Sequence, residues 1–204
     1  MSNRKRFLAL GDSYTIGESV SPLERWPVQL STLLRVEGVP VDEPQIIATT
    51  GWTTGELRAA LDRAAPRGPF DLVSLLVGVN NQYRGRALAE YQTEFQGLLE
   101  RAIQLACAQP RRVIVLSIPD WGVTPFASGR DRAALGRAMD QFNAVNAGAA
   151  QRAGANYVDV TPISRAAAVD AALIAGDGLH PSGKMYAEWA RLALPAAREG
   201  LRQP

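Results

Sequence analysis

Five short, nearly continuous apolar runs, separated by longer amphipathic stretches, constrain this chain more than any other feature. The runs are Arg6–Leu10, Gln45–Thr49, Asp71–Val77, Arg112–Ile118 and Asn156–Val160. A strand with one wet face alternates apolar and polar residues, whereas a strand covered on both faces does not have to. Asp71–Val77 (Asp-Leu-Val-Ser-Leu-Leu-Val) and Arg112–Ile118 (Arg-Val-Ile-Val-Leu-Ser-Ile) are of the second kind. The first three runs are closed by Gly11, Gly51 and Gly78, and the last two by Pro119 and Pro162. Between them lie helical patterns at Pro22–Glu37, Thr54–Ala65, Ala87–Ala108, Arg130–Ala153 and Pro181–Gly200. Leu88, Tyr91, Phe95, Leu98, Leu99, Ala102 and Leu105 form a stripe of 3.6-residue period. Thr53 is placed to cap the second pattern, and Pro22 stands at a first helical position after Ser21. This alternation predicts βα units with right-handed crossovers, and a parallel sheet between two helix layers.

No internal repeat, low-complexity tract or Pro/Gly/Ser linker interrupts the pattern, so residues 1–204 read as one domain. Hydrophobic residues make up 47% and charged residues 21%, a soluble globular composition. A formal charge of +2 is too small to argue for nucleic acid or an anionic membrane. The one cysteine, Cys107, excludes an intrachain disulfide and a CxxC motif. The start, Met-Ser-Asn-Arg-Lys-Arg, is basic like a signal n-region, but Phe7–Leu10 falls short of the ~7–15 apolar residues of an h-region. No window approaches the ~18 apolar residues of a membrane span. The expectation is therefore no stable membrane insertion and, by default, a cytoplasmic location, with a removed leader left open.

In sheets of this kind ligands bind beyond the carboxyl ends of the strands. The segments to read are then 11–15, 50–54, 78–84, 119–126 and the stretch after 160. The first contains Gly11-Asp12-Ser13-Tyr14, in which Ser13 opens a helical turn. Alone this is ordinary turn chemistry. A serine hydroxyl becomes a useful nucleophile only beside a base. The chain has a single histidine, His180, in Asp177-Gly178-Leu179-His180-Pro181. Asp177 is placed to accept the Nδ1 proton and favour the imidazolium formed during attack. Ester cleavage also needs donors for a developing oxyanion. Gly51 offers an unobstructed N–H, Asn80 a side-chain amide and Ser13 its own N–H. Taken singly, Gly51 and Asn80 are turn residues.

A serine, a glycine, an asparagine and an Asp-x-x-His on four successive loops resemble the SGNH hydrolase superfamily, also called GDSL esterases and lipases. The resemblance spans Gly11 to the final helix. It places the family serine on Ser13, its glycine on Gly51, its asparagine on Asn80, and its acid and histidine on Asp177 and His180. It implies an α/β fold: a flavodoxin-like three-layer α/β/α sandwich around a five-stranded parallel sheet. It also implies two-step acyl transfer with no metal and no cofactor. Tyr14 stands where the family name implies leucine, and Asn81 where many members carry aspartate.

Other chemistries fit less well. One His and one Cys argue on composition against a zinc site. No Walker A and no Gly-x-Gly-x-x-Gly after a strand occurs. Magnesium on Asp12 and Asp177 would leave Ser13 and His180 without a role, and a non-catalytic binding module would not need the complete set. The expected partner is a small-molecule ester, with oligomeric state left open. Trp52, Tyr83, Trp121 and Phe126, together with Tyr14, are the aromatic candidates for the substrate walls, and they suit an acyl chain or a sugar ring. A short-acyl esterase is the expectation. The alternatives are a carbohydrate acetylesterase, or a lysophospholipase or thioesterase in which Arg84 and Arg86 would meet an anionic group.

Overall fold

The five apolar runs form one parallel sheet in the order β2-β1-β3-β4-β5. The strands are β1 (Phe7–Gly11), β2 (Gln45–Ala48), β3 (Leu72–Leu76), β4 (Val113–Leu116) and β5 (Asn156–Val158). The computed structural model describes residues 4–202. Met1–Asn3 of the signal-like start and the last two residues of the expected domain lie outside the described residues. Every residue of β1, β3 and β4 is buried, as their unbroken apolar character requires, while the edge strands β2 and β5 are partly exposed. Covering both faces demands two helix layers.

The helices are α1 (Ser13–Ile16), α2 (Trp26–Val36), α3 (Thr54–Ala64), α4 (Val79–Tyr83), α5 (Leu88–Leu105), α6 (Arg132–Ala153), α7 (Thr161–Ala166) and α8 (Gly183–Arg202). α2 packs on α8 against one face, and α3, α5 and α6 line the other. The long helices follow the sequence pattern. Thr53 caps α3 and closes a capping box with Glu56, and Asp131 caps α6 by accepting from the Ala134 N–H at 2.9 Å. α8 buries Met185, Tyr186, Trp189 and Ala190 on one stripe. Side chains as large as Met185 and Trp189 each contribute about 1.5–3 kcal/mol when fully buried. That packing lets α8 continue through Pro195 in its interior.

Two local expectations differ. The Pro22–Glu37 pattern is divided: a 3₁₀ turn covers Pro22–Glu24, Arg25 is extended (ψ 133°), and α2 starts at Trp26. Pro27 takes a first-turn position, where its missing N–H costs nothing. Pro162, read as a stop signal after the fifth strand, instead opens α7 for the same reason. The strand itself ends at Val158, because the Val160 and Thr161 N–H groups both turn to Ser117 Oγ (2.8 and 3.0 Å).

The chain leaves β1 for β2 on one side and returns to β3 on the other. This reversal of strand order opens a crevice at the carboxyl ends of β1 and β3, and the loops carrying Ser13 and Asn80 both leave the sheet there.

Candidate active site

Gly11 ends β1 with no room for a side chain: a Cβ would stand 2.4 Å from the Leu76 carbonyl oxygen and 2.2 Å from Thr15 Oγ1. Asp12 then accepts from the Tyr14 N–H at 3.0 Å, capping α1 and making Ser13 its first residue. The Asp12 carboxyl is fully enclosed, and its Oδ2 has no hydrogen-bond partner among the described residues. Burial pushes its pKa up to about 7, against the lowering effect of the Tyr14 and Gly78 amides.

His180 reaches the same crevice from far along the chain. Its loop is fastened by an antiparallel bridge between Ile174 and Pro181 and by the Ala175 N–H, which donates to the His180 carbonyl at 2.8 Å. Asp177 lies 2.6 Å from His180 Nδ1 through Oδ2. Its Oδ1 accepts from the Leu179 and His180 N–H groups at 2.9 and 3.0 Å. Partial burial raises the Asp177 pKa, but hydrogen bonds from Ser19, His180 and these amides outweigh it and hold the carboxyl well below the usual carboxylate range. The Tyr14 ring stands edge-on to His180, with centroids 5.8 Å apart, and packs on Trp189 behind. The leucine-to-tyrosine departure thus builds the wall beside the imidazole.

Gly51 adopts φ +87°, a conformation that favours glycine. Its carbonyl accepts from Arg84 Nη2 at 2.6 Å, and Arg84 Nη1 pairs with Glu56 at 3.2 Å. Arg86 pairs with Glu90 at 3.6 Å. Both arginines sit on the protein surface in ion pairs, as solvated loop arginines do, and Arg84 also braces the Gly51 turn. Gly78, at φ +137°, leaves room for the Tyr91 hydroxyl, which a Cβ would meet at 2.6 Å. Asn80 follows in α4 and donates one amide N–H to the Trp52 carbonyl at 2.9 Å, leaving the other. Asn81 is buried; its Oδ1 accepts from the Thr54 N–H and its Nδ2 donates to Thr54 Oγ1, whose own proton goes to Glu94. An aspartate at 81 would compete with Glu94 for that single proton, which gives the asparagine a physical reason.

Ser13, Gly51, Asn80 and His180 line one cavity of about 180 Å³ together with Tyr14, Tyr83, Trp121 and Phe126. Trp121 is buried and donates Nε1–H to Gln82 Oε1 at 3.0 Å. Tyr83 and Phe126 are half-exposed at the mouth, and the three rings meet with centroids 5.6–6.3 Å apart. The Arg130 guanidinium lies 5.2–5.8 Å from all three ring centroids. Trp52 departs from expectation. It is absent from the cavity wall and packs, partly buried, against the core; only its carbonyl serves the site, through Asn80. Sequence reasoning missed Glu18, Ser19 and Thr50. Ser19 Oγ donates to Asp177 Oδ2 at 2.6 Å across 158 residues, and Thr50 donates to Glu18. No local signal marks such a pair. Among the described residues no cluster of His, Cys, Asp and Glu is arranged to hold a metal, and no helix is long and apolar enough to cross a membrane.

Residues 9–188 match the family model described as the GDSL-like lipase/acylhydrolase family. No curated protein matches the chain in sequence. Among solved structures it is similar to TesA (TM-score 0.75, 20% identity, 97% of this chain and 100% of that one). It is also similar to Axe2-W215I, an acetyl xylan esterase from Geobacillus stearothermophilus (TM-score 0.72, 20% identity, 98% and 97%). A third is AlinE4, an SGNH-hydrolase family esterase (TM-score 0.67, 21% identity, all of both chains). At such identities these likenesses establish the three-layer fold and nothing finer.

Proposed function

The chain belongs to the GDSL-like lipase/acylhydrolase family, and we propose that it is a serine esterase acting on carboxylic esters of short acyl chains. One observation carries the reading. Asp177 occupies His180 Nδ1, so Nε2 is the nitrogen left for Ser13 across the cavity that both line. In the proposed reaction Ser13 Oγ attacks the ester carbonyl carbon while His180 Nε2 takes the hydroxyl proton. Negative charge gathers on the carbonyl oxygen, where the Ser13 and Gly51 N–H groups and the second Asn80 N–H are the donors. The tetrahedral intermediate collapses, the carbon–oxygen bond to the alcohol breaks, and the imidazolium protonates the leaving oxygen. A water activated by His180 then attacks the acyl-enzyme, releasing the carboxylic acid and restoring Ser13.

Cavity size supports the short chain. A void of ~150 Å³ holds one benzene, so the recess of about 180 Å³ takes a group of similar size before the cavity opens to solvent past Tyr83 and Phe126. The walls are Tyr14, Val79, Trp121 and Leu179, which are apolar or aromatic. The half-exposed rings of Tyr83 and Phe126 favour a second reading, an acetylated sugar lying across the mouth, and Axe2 is an acetyl xylan esterase of similar fold. Two measurements test these readings. Fluorophosphonate labelling should disappear in Ser13→Ala. A panel of p-nitrophenyl esters should show kcat/KM falling beyond butanoate; acetylxylan turned over far faster than any p-nitrophenyl ester would favour the sugar reading. An unlabelled wild-type protein with no esterase activity would refute both.

A further inference from the structure

We propose that Ser19 is a positioning residue that fixes Asp177, and through it the tautomer and direction of His180. This inference rests on the serine-esterase reading for its kinetic consequence, though not for its geometry. Asp177 Oδ2 receives two bonds of equal length, 2.6 Å from Ser19 Oγ and 2.6 Å from His180 Nδ1. Oδ1 is held by two backbone amides of its own loop. Those amides fix where the carboxylate sits. They leave open its rotation about the axis through Oδ1, which swings Oδ2 relative to the imidazole. Ser19 is the one side chain outside the 177–180 loop that reaches Oδ2 among the described residues. A hydroxyl bonded to a carboxylate oxygen is a charge-assisted contact and is among the stronger hydrogen bonds.

The backbone around Ser19 is shaped for this contact. α1 is a single turn closed by Gly17 at φ +72°, and its Gly17 and Glu18 N–H groups both return to the Ser13 carbonyl (3.0 and 3.1 Å). Ser19 itself adopts φ +64°, a left-handed conformation uncommon for a residue with a side chain. Neither Asn nor Gly occupies the position, although both adopt that conformation more readily. Strained backbone of this kind is kept where surrounding contacts over-determine it. Here two adjacent residues supply those contacts in opposite directions. Glu18 takes the Thr50 hydroxyl, one residue before Gly51, and Ser19 gives its hydroxyl to Asp177. The turn after the nucleophile is thus tied both to the glycine loop and to the acid–histidine loop. Ser19 is solvent-exposed. Water can therefore replace its hydrogen bond but not its fixed direction.

Ser19→Ala removes the hydroxyl and keeps the strained backbone, while Ser19→Gly removes the hydroxyl and relieves the strain. Both should fold, since the side chain is exposed. The positioning role predicts that kcat on p-nitrophenyl acetate falls about tenfold in both variants, the scale of one hydrogen bond to a charged group, with KM within about twofold. Because His180 is the only histidine, ¹⁵N-histidine labelling gives one pair of ring signals. In both variants these should move away from the wild-type Nδ1–H pattern. Wild-type kcat and ring signals in both variants would overturn the proposal. So would loss in Ser19→Ala with full activity in Ser19→Gly, which would assign the effect to the backbone. Should wild-type protein hydrolyse no ester, the esterase reading fails, and the ring signals alone still decide whether Ser19 orients the Asp177–His180 pair.

Discussion

His180 Nδ1 lies 2.6 Å from Asp177 Oδ2, on the carboxylate whose other oxygen is held by the amides of Leu179 and His180. An acceptor fixed at Nδ1 keeps the proton there and leaves Nε2 unprotonated. His180→Ala should lower kcat by at least about 10⁴-fold, and Asp177→Asn by about 10³- to 10⁴-fold, with KM little changed. Circular dichroism and thermal melting should show both variants folded. Near-normal turnover in His180→Ala would remove it from the base role.

Asp12 should make the protein less stable as pH rises towards 7. Burial lifts its folded pKa to about 7 from an ordinary value of 3.8, so between those values the folded chain binds more protons than the unfolded one. Stability contributed by the protonated form is full below the unfolded value and is lost as pH climbs through the folded one. Asp12→Asn, which keeps the shape without the charge, should flatten that part of the profile. Urea melts of both proteins at pH 4.5, 6 and 8 measure this; parallel profiles would show that Asp12 is ionised in the folded state throughout.

Asn80 has one N–H committed to the Trp52 carbonyl and another free for the cavity. If the second serves the oxyanion, its value lies in the transition state and not in substrate binding. Asn80→Ala should cut kcat by about 10²-fold and leave KM within about threefold. A raised KM at unchanged kcat would place the side chain in ground-state binding instead.

Phe126 and Tyr83 limit the cavity at its exposed end. Phe126→Ala opens that wall and removes one ring contact of Trp121, which stays buried and hydrogen-bonded to Gln82. The ratio of kcat/KM for p-nitrophenyl octanoate to that for the acetate should rise at least about tenfold, since a pocket gains or loses roughly that factor per methylene it can hold. An unchanged ratio would put the acyl chain elsewhere.

Much of this molecule is written in local patterns. The apolar runs at 71–77 and 112–118 specify central strands because burial on both faces leaves no polar alternation to preserve, and both strands are fully enclosed. Thr53 and Glu56 announce the start of α3, because capping involves only residues three apart. Ser13 and His180 stand out because a glycine-closed strand and a single histidine leave few other candidates. Tertiary structure alone decided the rest. Trp52 and Phe126 are both aromatic loop residues, yet only the second lines the cavity, because ring direction in a loop is set by whatever packs against it. Arg84 reads as a free cation until Gly51 and Glu56 surround it. Ser19 meets Asp177 across 158 residues. Periodicity, caps and turns act between near neighbours and survive in the linear order of residues. Contacts between loops exist only once the sheet has brought their ends to one edge.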